Sequence, residues 1–407
     1  CGFTELDLST FESLNIGMIQ NNANLTKVIF NDNLTTMPSN MFLGCSSLTE
    51  LTLPSKLTKW DTNGNANSYK GELSEAPIKK LVLPEGLYPD MNSLSAYTFC
   101  DSLALEEVEF TCTTKQYTLS SMFCYSKKLK KVTFASDGIY GLTKMQNNFV
   151  GCTALETFEI PSTVTEIGNY EFFGCTSLKS IVIPATVTKA LRDGFGVSIS
   201  DPSSRLYQSG LFSGCTSLER GEMQSTETTM IPAYAFCNCT SLKEVVWAGE
   251  ITSINEYAFY NTQALTNYEI PETVTTIEQY AFMNSGVANF QISANVTNVE
   301  AGAFGSKALQ SITVDPANTK YYSENGALYN SVGTLIVQPM AGLLDENGVL
   351  TIPQGINFNG GAFVSNDIKK VIFADGITTV PYQMLMGLPN LEEVYLPDSV
   401  LQIQSRA

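Results

Sequence analysis

Histidine is absent from the 407 residues of this chain. Imidazole is the most common general base in enzymes and the most common zinc ligand, so a serine or cysteine nucleophile here would lack its usual partner. The sequence also contains no phosphate-binding loop of the Walker type and no Cys-x-x-Cys pair. We therefore predict a protein that is not an enzyme and that has no catalytic residues, no metal site and no cofactor.

Positive charge and long apolar runs are also scarce. Lys and Arg total 23 against 40 Asp and Glu, which gives a formal net charge of −17. An acidic surface repels phosphate backbones, so the composition argues against a nucleic-acid partner. No apolar run approaches the ~20 residues that a transmembrane helix needs, so we predict no transmembrane segment. Apolar residues make up 43% of the chain and charged residues 15%, which favours a folded protein over a disordered one.

One phrase recurs along almost the whole chain. Its clearest copy, between Phe172 and Pro184, is Phe-x-Gly-Cys-x-x-Leu-x-x-Ile-x-Ile-Pro. For this copy we count the intervals between repeats from Phe173. The aromatic position recurs at Phe42, Phe99, Phe123, Phe149, Phe173, Phe212, Phe236, Phe259, Phe282, Phe304, Phe363 and Met386. The intervals are 57, 24, 26, 24, 39, 24, 23, 23, 22, 59 and 23 residues, and eight of the eleven lie between 22 and 26. A fixed period in this range is the signature of a leucine-rich-repeat solenoid.

The phrase also predicts how each repeat folds. Its last apolar positions alternate with polar ones, which is typical of a β-strand with one buried face, and the following proline ends the strand. A second pattern, Val-x-x-Ile, turns two more apolar side chains inward on the return path, as at Val164 and Ile167. We predict one repeat solenoid over residues 1–407, a right-handed leucine-rich-repeat-like coil of roughly 13–14 rungs with a parallel β-sheet on one face and little regular helix.

Three intervals exceed the period and predict insertions at about residues 58–76, 190–208 and 315–348. The first two are rich in turn-forming residues and are typical of surface loops. The third contains Asn325-Gly326 between two strand-like runs, which predicts an inserted hairpin. Functional residues concentrate on loops that a rigid scaffold holds, so the aromatic residues of the first two loops are candidate partner contacts. These candidates are Trp60, Tyr69 and Tyr207, and the alternative is that each ring folds back onto the solenoid.

Cysteine follows the repeat. Eight of the ten cysteines lie at or beside the Gly-Cys position: Cys45, Cys100, Cys124, Cys152, Cys175, Cys215, Cys237 and Cys239. A residue type locked to one phase of a repeat is usually chosen for packing, so we favour buried thiols over the alternative of a disulfide framework. Cys1 has two interpretations, the repeat cysteine of a truncated rung or the lipid-carrying cysteine of a processed lipoprotein. The first is favoured because the repeat pattern begins at once, without a polar tether.

The outward positions of the predicted strands form the other candidate surface. This stripe is polar, mildly acidic and nearly free of aromatic residues, and solenoids bind partners on such extended surfaces. The predicted binding face consists of Glu50, Glu107, Glu109, Lys131, Glu159, Arg220, Glu222, Glu244, Glu269, Lys370 and Tyr395. A mixed polar stripe suits a protein partner, because charge complementarity steers protein association. For any one of these residues the alternative is a solvated side chain without function.

The phrase with its cysteine and its post-strand proline resembles the BspA-like (Treponema-type) leucine-rich repeat family over nearly the whole chain, and so does the segment Tyr321-Tyr322-Ser323-Glu324-Asn325-Gly326-Ala327-Leu328-Tyr329. The resemblance implies a secreted or surface-attached protein of host-associated bacteria that adheres to matrix proteins or to other cells. We expect a monomeric, non-catalytic binding protein with an extracellular protein ligand. A glycan-binding accessory protein of a surface uptake system and a structural spacer are the alternatives. A lipid anchor in the outer membrane follows only if Cys1 is the lipidated residue.

Overall fold

The computed structural model describes residues 3–61, 71–89, 94, 96–136, 140–168, 170–190, 210–340, 343–355, 358, 361–363, 365, 367–382, 384–385, 388–405 and 407. Every regular element in these residues is a β-strand. The described residues contain no helix that is long and apolar enough to cross a membrane. They fall into two compact units, the first within Cys1–Arg192 and Leu211–Glu227 and the second within Asp193–Gly210 and Thr228–Ala407. The predicted β-solenoid is confirmed within each unit, with about 15 turns altogether. Their organisation as one solenoid stays a prediction.

The first unit carries two parallel ladders. Its strands are β1 (Glu5–Leu8), β2 (Lys27–Phe30), β3 (Thr36–Met37), β4 (Lys59–Trp60), β5 (Lys80–Leu83), β6 (Glu107–Phe110), β7 (Gln116–Ser120), β8 (Lys131–Phe134), β9 (Gly141–Gln146), β10 (Glu166–Ile167), β11 (Ser180–Ile183), β12 (Lys189–Ala190) and β13 (Arg220–Met223). The Leu-x-x-Ile-x-Ile pattern forms the pairs β1-β2, β5-β6-β8 and β11-β13. The return path forms β3-β4 and β7-β9-β10-β12, so the Val-x-x-Ile pattern adds a ladder of its own.

The second unit repeats this plan and adds a hairpin. Its strands are β14 (Met230–Ile231), β15 (Glu244–Trp247), β16 (Ser253–Ile254), β17 (Thr276–Ile277), β18 (Asn289–Ile292), β19 (Asn298–Val299), β20 (Ser311–Val314), β21 (Tyr321–Glu324), β22 (Ala327–Asn330), β23 (Leu335–Val337), β24 (Val349–Ile352), β25 (Lys370–Phe373), β26 (Thr379–Val380), β27 (Glu393–Tyr395) and β28 (Gln402–Ile403). Parallel pairs include β14-β16-β17-β19, β18-β20, β24-β25-β27 and β26-β28. Strands β21, β22 and β23 are antiparallel, and the predicted hairpin turns at Asn325 and Gly326, whose φ angles are 51° and 80°.

A column of phenylalanine rings forms the centre of each unit. In the first unit Phe149 and Phe172 lie 5.7 Å apart at 9°, and Phe172 and Phe212 lie 5.7 Å apart at 14°. The repeat position is therefore Phe172 and not Phe173, which lies in a side cluster with Cys100 and Cys124. The two intervals at this rung become 23 (172 − 149) and 40 (212 − 172). In the second unit successive rings from Phe236 to Phe304 stack 5.1–5.6 Å apart. Met386 lies outside the described residues.

The corner after the phenylalanine requires a left-handed backbone. Gly174 has a φ of 71°, and Asn238, Asn261 and Asn284 occupy the same corner with φ of 60°, 59° and 56°. Asparagine tolerates this conformation better than other residues with a side chain, whereas alanine is strained there. The corner position therefore favours glycine or asparagine for backbone reasons, although Asp101 and Tyr125 hold it in two rungs with φ of 52° and 62°.

Substitutions at Gly174 test this interpretation. An added Cβ would meet only Gly151 backbone at 3.7 Å, so there is space and the cost is conformational. We expect Gly174→Ala to lower the free energy of unfolding by about 1 kcal/mol and Gly174→Asn to lower it by clearly less. Urea denaturation followed by circular dichroism measures both. Equal losses for the two variants would contradict the role given to the left-handed corner.

Candidate functional site

The outward face of the first unit carries paired charges. The register of β5, β6 and β8 aligns Lys80 with Glu107 and Glu107 with Lys131. The ammonium of Lys80 lies 3.4 Å from the Glu107 carboxylate. Further along, the Arg220 guanidinium lies 2.7 Å from Glu222. Exposed pairs of this kind add little stability but cancel charge locally, so this part of the predicted face is largely self-neutralised.

The remaining predicted face residues of the first unit are exposed as expected. Glu50, Glu109 and Glu159 are solvent-exposed, and Glu109 lies in register with Val82 and Thr133. Hydrogen bonds from Gln224 and Arg220 hold the pKa of Glu222 below its ordinary value. These side chains are spread over many rungs and do not converge on one point. The structure therefore presents them as a stripe rather than as a site.

The outward face of the second unit contains a groove of about 670 Å³. Three successive rungs supply its floor: Asn267, Glu269, Asn289, Gln291, Ser311 and Thr313. The register of β18 and β20 places the last four of these side chains in two adjacent pairs. Glu272 and Asp315, which lie in the turns after the strands, complete the wall. The groove thus collects amide, hydroxyl and carboxylate groups within three rungs.

The groove is acidic and its lining contains no lysine or arginine. Ser311 Oγ donates a hydrogen bond of 2.7 Å to Asn289 Oδ1, and Asp315 Oδ1 accepts one of 2.8 Å from the Ala317 backbone. Within the part of the chain that the structure describes, neither Glu269 nor Glu272 forms an ion pair. Their charges are therefore available to a ligand, in contrast to the paired charges of the first unit.

Three predicted face residues of the second unit lie away from the groove. Glu244 lies on β15 and is solvent-exposed. On β25 and β27 the register aligns Lys370 with Glu393, whose carboxylate is 2.6 Å from the Lys370 ammonium. This lysine lowers the pKa of Glu393. Tyr395 on β27 is 55% exposed. Of the eleven predicted face residues, only Glu269 lines the groove, and a binding role for this face stays a prediction.

Comparison with known proteins places these features in a family. The BspA type leucine rich repeat region matches the sequence in 6 copies, at residues 1–72, 66–200, 206–332 and 349–407. The chain belongs to the BspA-type leucine-rich repeat family. No curated protein has a matching sequence.

Two solved structures show what the BspA-type chain is similar to. A leucine-rich repeat protein from Bacteroides ovatus is 19% identical, with a TM-score of 0.54, and the match covers 76% of this chain and 78% of that chain. A leucine rich cell surface protein from Faecalibacterium prausnitzii is 21% identical, with a TM-score of 0.42 and coverage of 72% of each chain. At this identity the first likeness shows the fold alone.

The loop residue Trp60 of this BspA-type chain is not a surface contact. It lies in β4, pairs in register with Met37 of β3 and is only 2% exposed. The prediction that Trp60 contacts a partner was wrong, because Trp60 was assigned to the polar loop that follows it in the sequence. Leu57 and Trp60 in fact repeat the Val-x-x-Ile phase of Val164 and Ile167, a signal that could have identified the residue as core. The first insertion therefore starts after this strand, not at residue 58.

The other loop candidates fall where the structure gives no description. Tyr69 and Tyr207 lie outside the described residues, and so does almost all of the predicted insertion at 190–208. Cys1 is likewise outside them. Among the residues that are described, no group of three or more cysteine, aspartate or glutamate side chains could hold a metal ion.

A tyrosine stack in the second unit is a feature that the sequence reasoning missed. Tyr234, Tyr257 and Tyr280 each precede a repeat phenylalanine by two residues and have φ of 59°, 55° and 57°. The ring centroids of the first two lie 5.0 Å apart, and those of the last two 5.1 Å apart. Tyr234 stacks on Tyr257 at 12°, and Tyr280 packs against Tyr257 at a tilt of 41°, so neighbouring rings lie on both sides of Tyr257. A sugar platform needs an uncovered aromatic face, so this stack does not favour the glycan alternative.

Proposed function

We propose that this BspA-type protein is a non-catalytic binding protein of the cell surface or extracellular space, and that it holds a protein partner in the groove of its second unit. The observation that supports the proposal is the groove itself, about 670 Å³ of concave polar surface on the outward face of a rigid stack. Such a volume lies within the range of ligand sites in proteins. The location is supported by membership of the family.

The chemistry of the groove indicates which part of a protein it would hold. Glu269 and Glu272 supply charge that no described cation neutralises, and Asn289 and Gln291 supply amide oxygens and hydrogens. These groups suit an extended segment that carries lysine or arginine, because its cations complement the carboxylates and its backbone can bond to the amides. The net charge of −17 would attract such a segment at long range.

Charge reversal in the groove tests the proposal. We expect saturable binding of the wild-type chain to at least one member of a panel of purified extracellular-matrix proteins. Glu269→Lys combined with Glu272→Lys should weaken that binding about tenfold or more, because it replaces attraction by repulsion. Surface plasmon resonance at two salt concentrations gives the affinities, and higher salt should weaken the wild-type interaction.

A matched control separates the groove from net charge. Glu50→Lys combined with Glu159→Lys changes the net charge by the same amount on exposed positions of the first unit. We expect this variant to bind within about twofold of the wild type, because neither position lines the groove. Equal losses for the two double variants would place the binding surface elsewhere. Binding to a glycan array, with none to any protein of the panel, would overturn the proposed function.

A further inference from the structure

Half of the ten cysteines have a packing explanation. Five of them lie in the slot after the left-handed corner: Cys45, Cys152, Cys175, Cys215 and Cys239. In this slot a thiol donates to a main-chain carbonyl, as Cys175 Sγ does to Phe149 O at 3.1 Å. Other rungs place a hydroxyl there, such as Thr262, which donates to Phe259 O at 2.8 Å. The slot therefore selects a small buried hydrogen-bond donor, and sulfur is one of several solutions.

Cys100 and Cys124 lie outside this slot. Each directly follows a repeat phenylalanine, Phe99 or Phe123, whereas Ser102 and Ser126 occupy the slots of these two rungs. The packing role of the slot is thus already filled in both rungs. Cys237 occupies the same position after Phe236, but Cys100 and Cys124 are the cysteines that do so in successive rungs.

The fold brings these two thiols together. Phe99 N donates to Met122 O at 3.2 Å and Asp101 N donates to Cys124 O at 2.8 Å, so the two rungs are in register around the cysteines. Neighbouring parallel chains lie ~4.8 Å apart, which is within the ~4.4–6.8 Å that separates the Cα atoms of a disulfide. The two side chains pack in one buried cluster with Val150 and contact each other.

We propose that Cys100 and Cys124 form a disulfide that links two successive rungs of the first unit when the chain folds in an oxidising compartment. A low-molecular-weight disulfide is the oxidant. The Cys124 thiolate attacks one of its sulfurs, which forms a mixed disulfide and releases one small thiol. The Cys100 thiolate then attacks Cys124 Sγ and releases the second small thiol. Two protein thiols are oxidised and one small disulfide is reduced to two thiols.

The bond forms during folding rather than in the finished molecule. Both thiols are buried in the folded chain, and each already donates to a carbonyl, Cys100 to Ser121 O at 3.1 Å and Cys124 to Asn147 O at 2.9 Å. Contact with Cys124 and burial raise the pKa of the Cys100 thiol, which lowers the fraction of reactive thiolate. In the unfolded chain both thiols are exposed and reactive, and folding then buries the product.

Oxidative refolding tests the proposal. The full chain is denatured and reduced, then refolded in a glutathione redox buffer, and remaining thiols are alkylated under denaturing conditions. Digestion with trypsin and chymotrypsin separates Cys100 from Cys112, and mass spectrometry identifies linked peptides. We expect a peptide that joins Cys100 to Cys124, and a melting temperature at least about 5 °C above that of the reduced chain.

Two double variants give the proposal its controls. Cys100→Ser with Cys124→Ser should abolish the difference in melting temperature between the oxidised and reduced chains. Cys175→Ser with Cys215→Ser should retain it, because these slot thiols each bond to a carbonyl and serine fills the same slot elsewhere. Correctly folded wild-type chain with both Cys100 and Cys124 alkylated after oxidative refolding would overturn the proposal. A linkage of either residue to another cysteine would do the same.

Discussion

Replacing Trp60 with alanine is expected to lower the free energy of unfolding of the first unit by about 3–5 kcal/mol. The indole is buried in the ring column, with centroids 5.9 Å from Phe42 and 5.7 Å from Phe99. The interval of 57 residues between these two phenylalanines leaves the column without a repeat aromatic, and Trp60 fills that gap. Alanine would leave a cavity at this point, and the rigid neighbouring rungs would close it only in part.

The conservative change Trp60→Phe should cost far less, about 1.5 kcal/mol or below. Among the described residues the buried Trp60 indole nitrogen has no hydrogen-bond partner, so phenylalanine loses no hydrogen bond to them and removes an unsatisfied donor. Urea denaturation followed by far-ultraviolet circular dichroism compares the two variants. Phe11→Ala is the control, because Phe11 is 47% exposed in the same unit and should change stability little. A small loss of unfolding free energy for Trp60→Ala, similar to that for Phe11→Ala, would indicate that Trp60 lies at the surface.

Raising the pH from 5 to 9 is expected to destabilise the first unit by about 4 kcal/mol through Glu171. Its side chain is fully buried, and burial raises the pKa of the carboxyl to about 8. The Asn148 side-chain amide donates to the two carboxyl oxygens at 2.9 and 3.1 Å, which favours the charged form but offsets only part of the burial effect. The folded chain therefore holds this proton more tightly than the unfolded chain does.

The direction of the effect follows from the two proton affinities. Below pH 4.5 the carboxyl is protonated in both states, and the contribution to stability is complete. Between about pH 4.5 and 8 the unfolded chain releases the proton while the folded chain keeps it, so stability falls as the pH rises. Above pH 8 the loss is complete. Glu72 contributes in the same direction, because burial raises its pKa to about 7.

Glu171→Gln should remove most of this pH dependence, since the amide keeps the volume and the neutral state of the protonated acid. Urea denaturation at pH 5, 7 and 9 measures the slope. The control is Glu159→Gln, which changes an exposed carboxylate and should leave the slope unchanged. The slope that remains in Glu171→Gln should fall further when Glu72→Gln is added. An unchanged slope in Glu171→Gln would show that other groups cause the pH dependence.

Periodicity predicted the fold because each rung obeys the same packing rule. Alternating apolar residues form the strands, and the repeat cysteines are buried as predicted. Periodicity could not decide which of two adjacent phenylalanines occupies the repeat position. Phe172 and Phe173 are adjacent and equally apolar, and only the stacking with Phe149 and Phe212 decides between them. Trp60 was misjudged for a related reason, because the composition of its neighbours outweighed its own phase in the repeat.

The candidate site was less predictable than the fold. Outward positions follow from the alternation of a strand, so Glu269 could be assigned to the outward face. The groove also depends on turns such as the one that carries Glu272, and the depth of a turn is not encoded in the repeat phase. Whether a charge is free or paired depends on register between rungs, as the contrast between Glu107 and Glu269 shows. Neither property is visible in a single rung.

The register between β18 and β20 has a consequence for how a peptide would fit the proposed groove. Its outward positions form a lattice with a step of ~4.8 Å across the rungs, whereas an extended peptide repeats its side chains on one face every ~6.8 Å. Two peptide steps nearly equal three rung steps, at ~14 Å. A peptide laid across the rungs therefore coincides with the lattice only at widely separated points. The groove floor spans three rungs, or two steps of ~4.8 Å, so a peptide bound there would coincide with the lattice at one point.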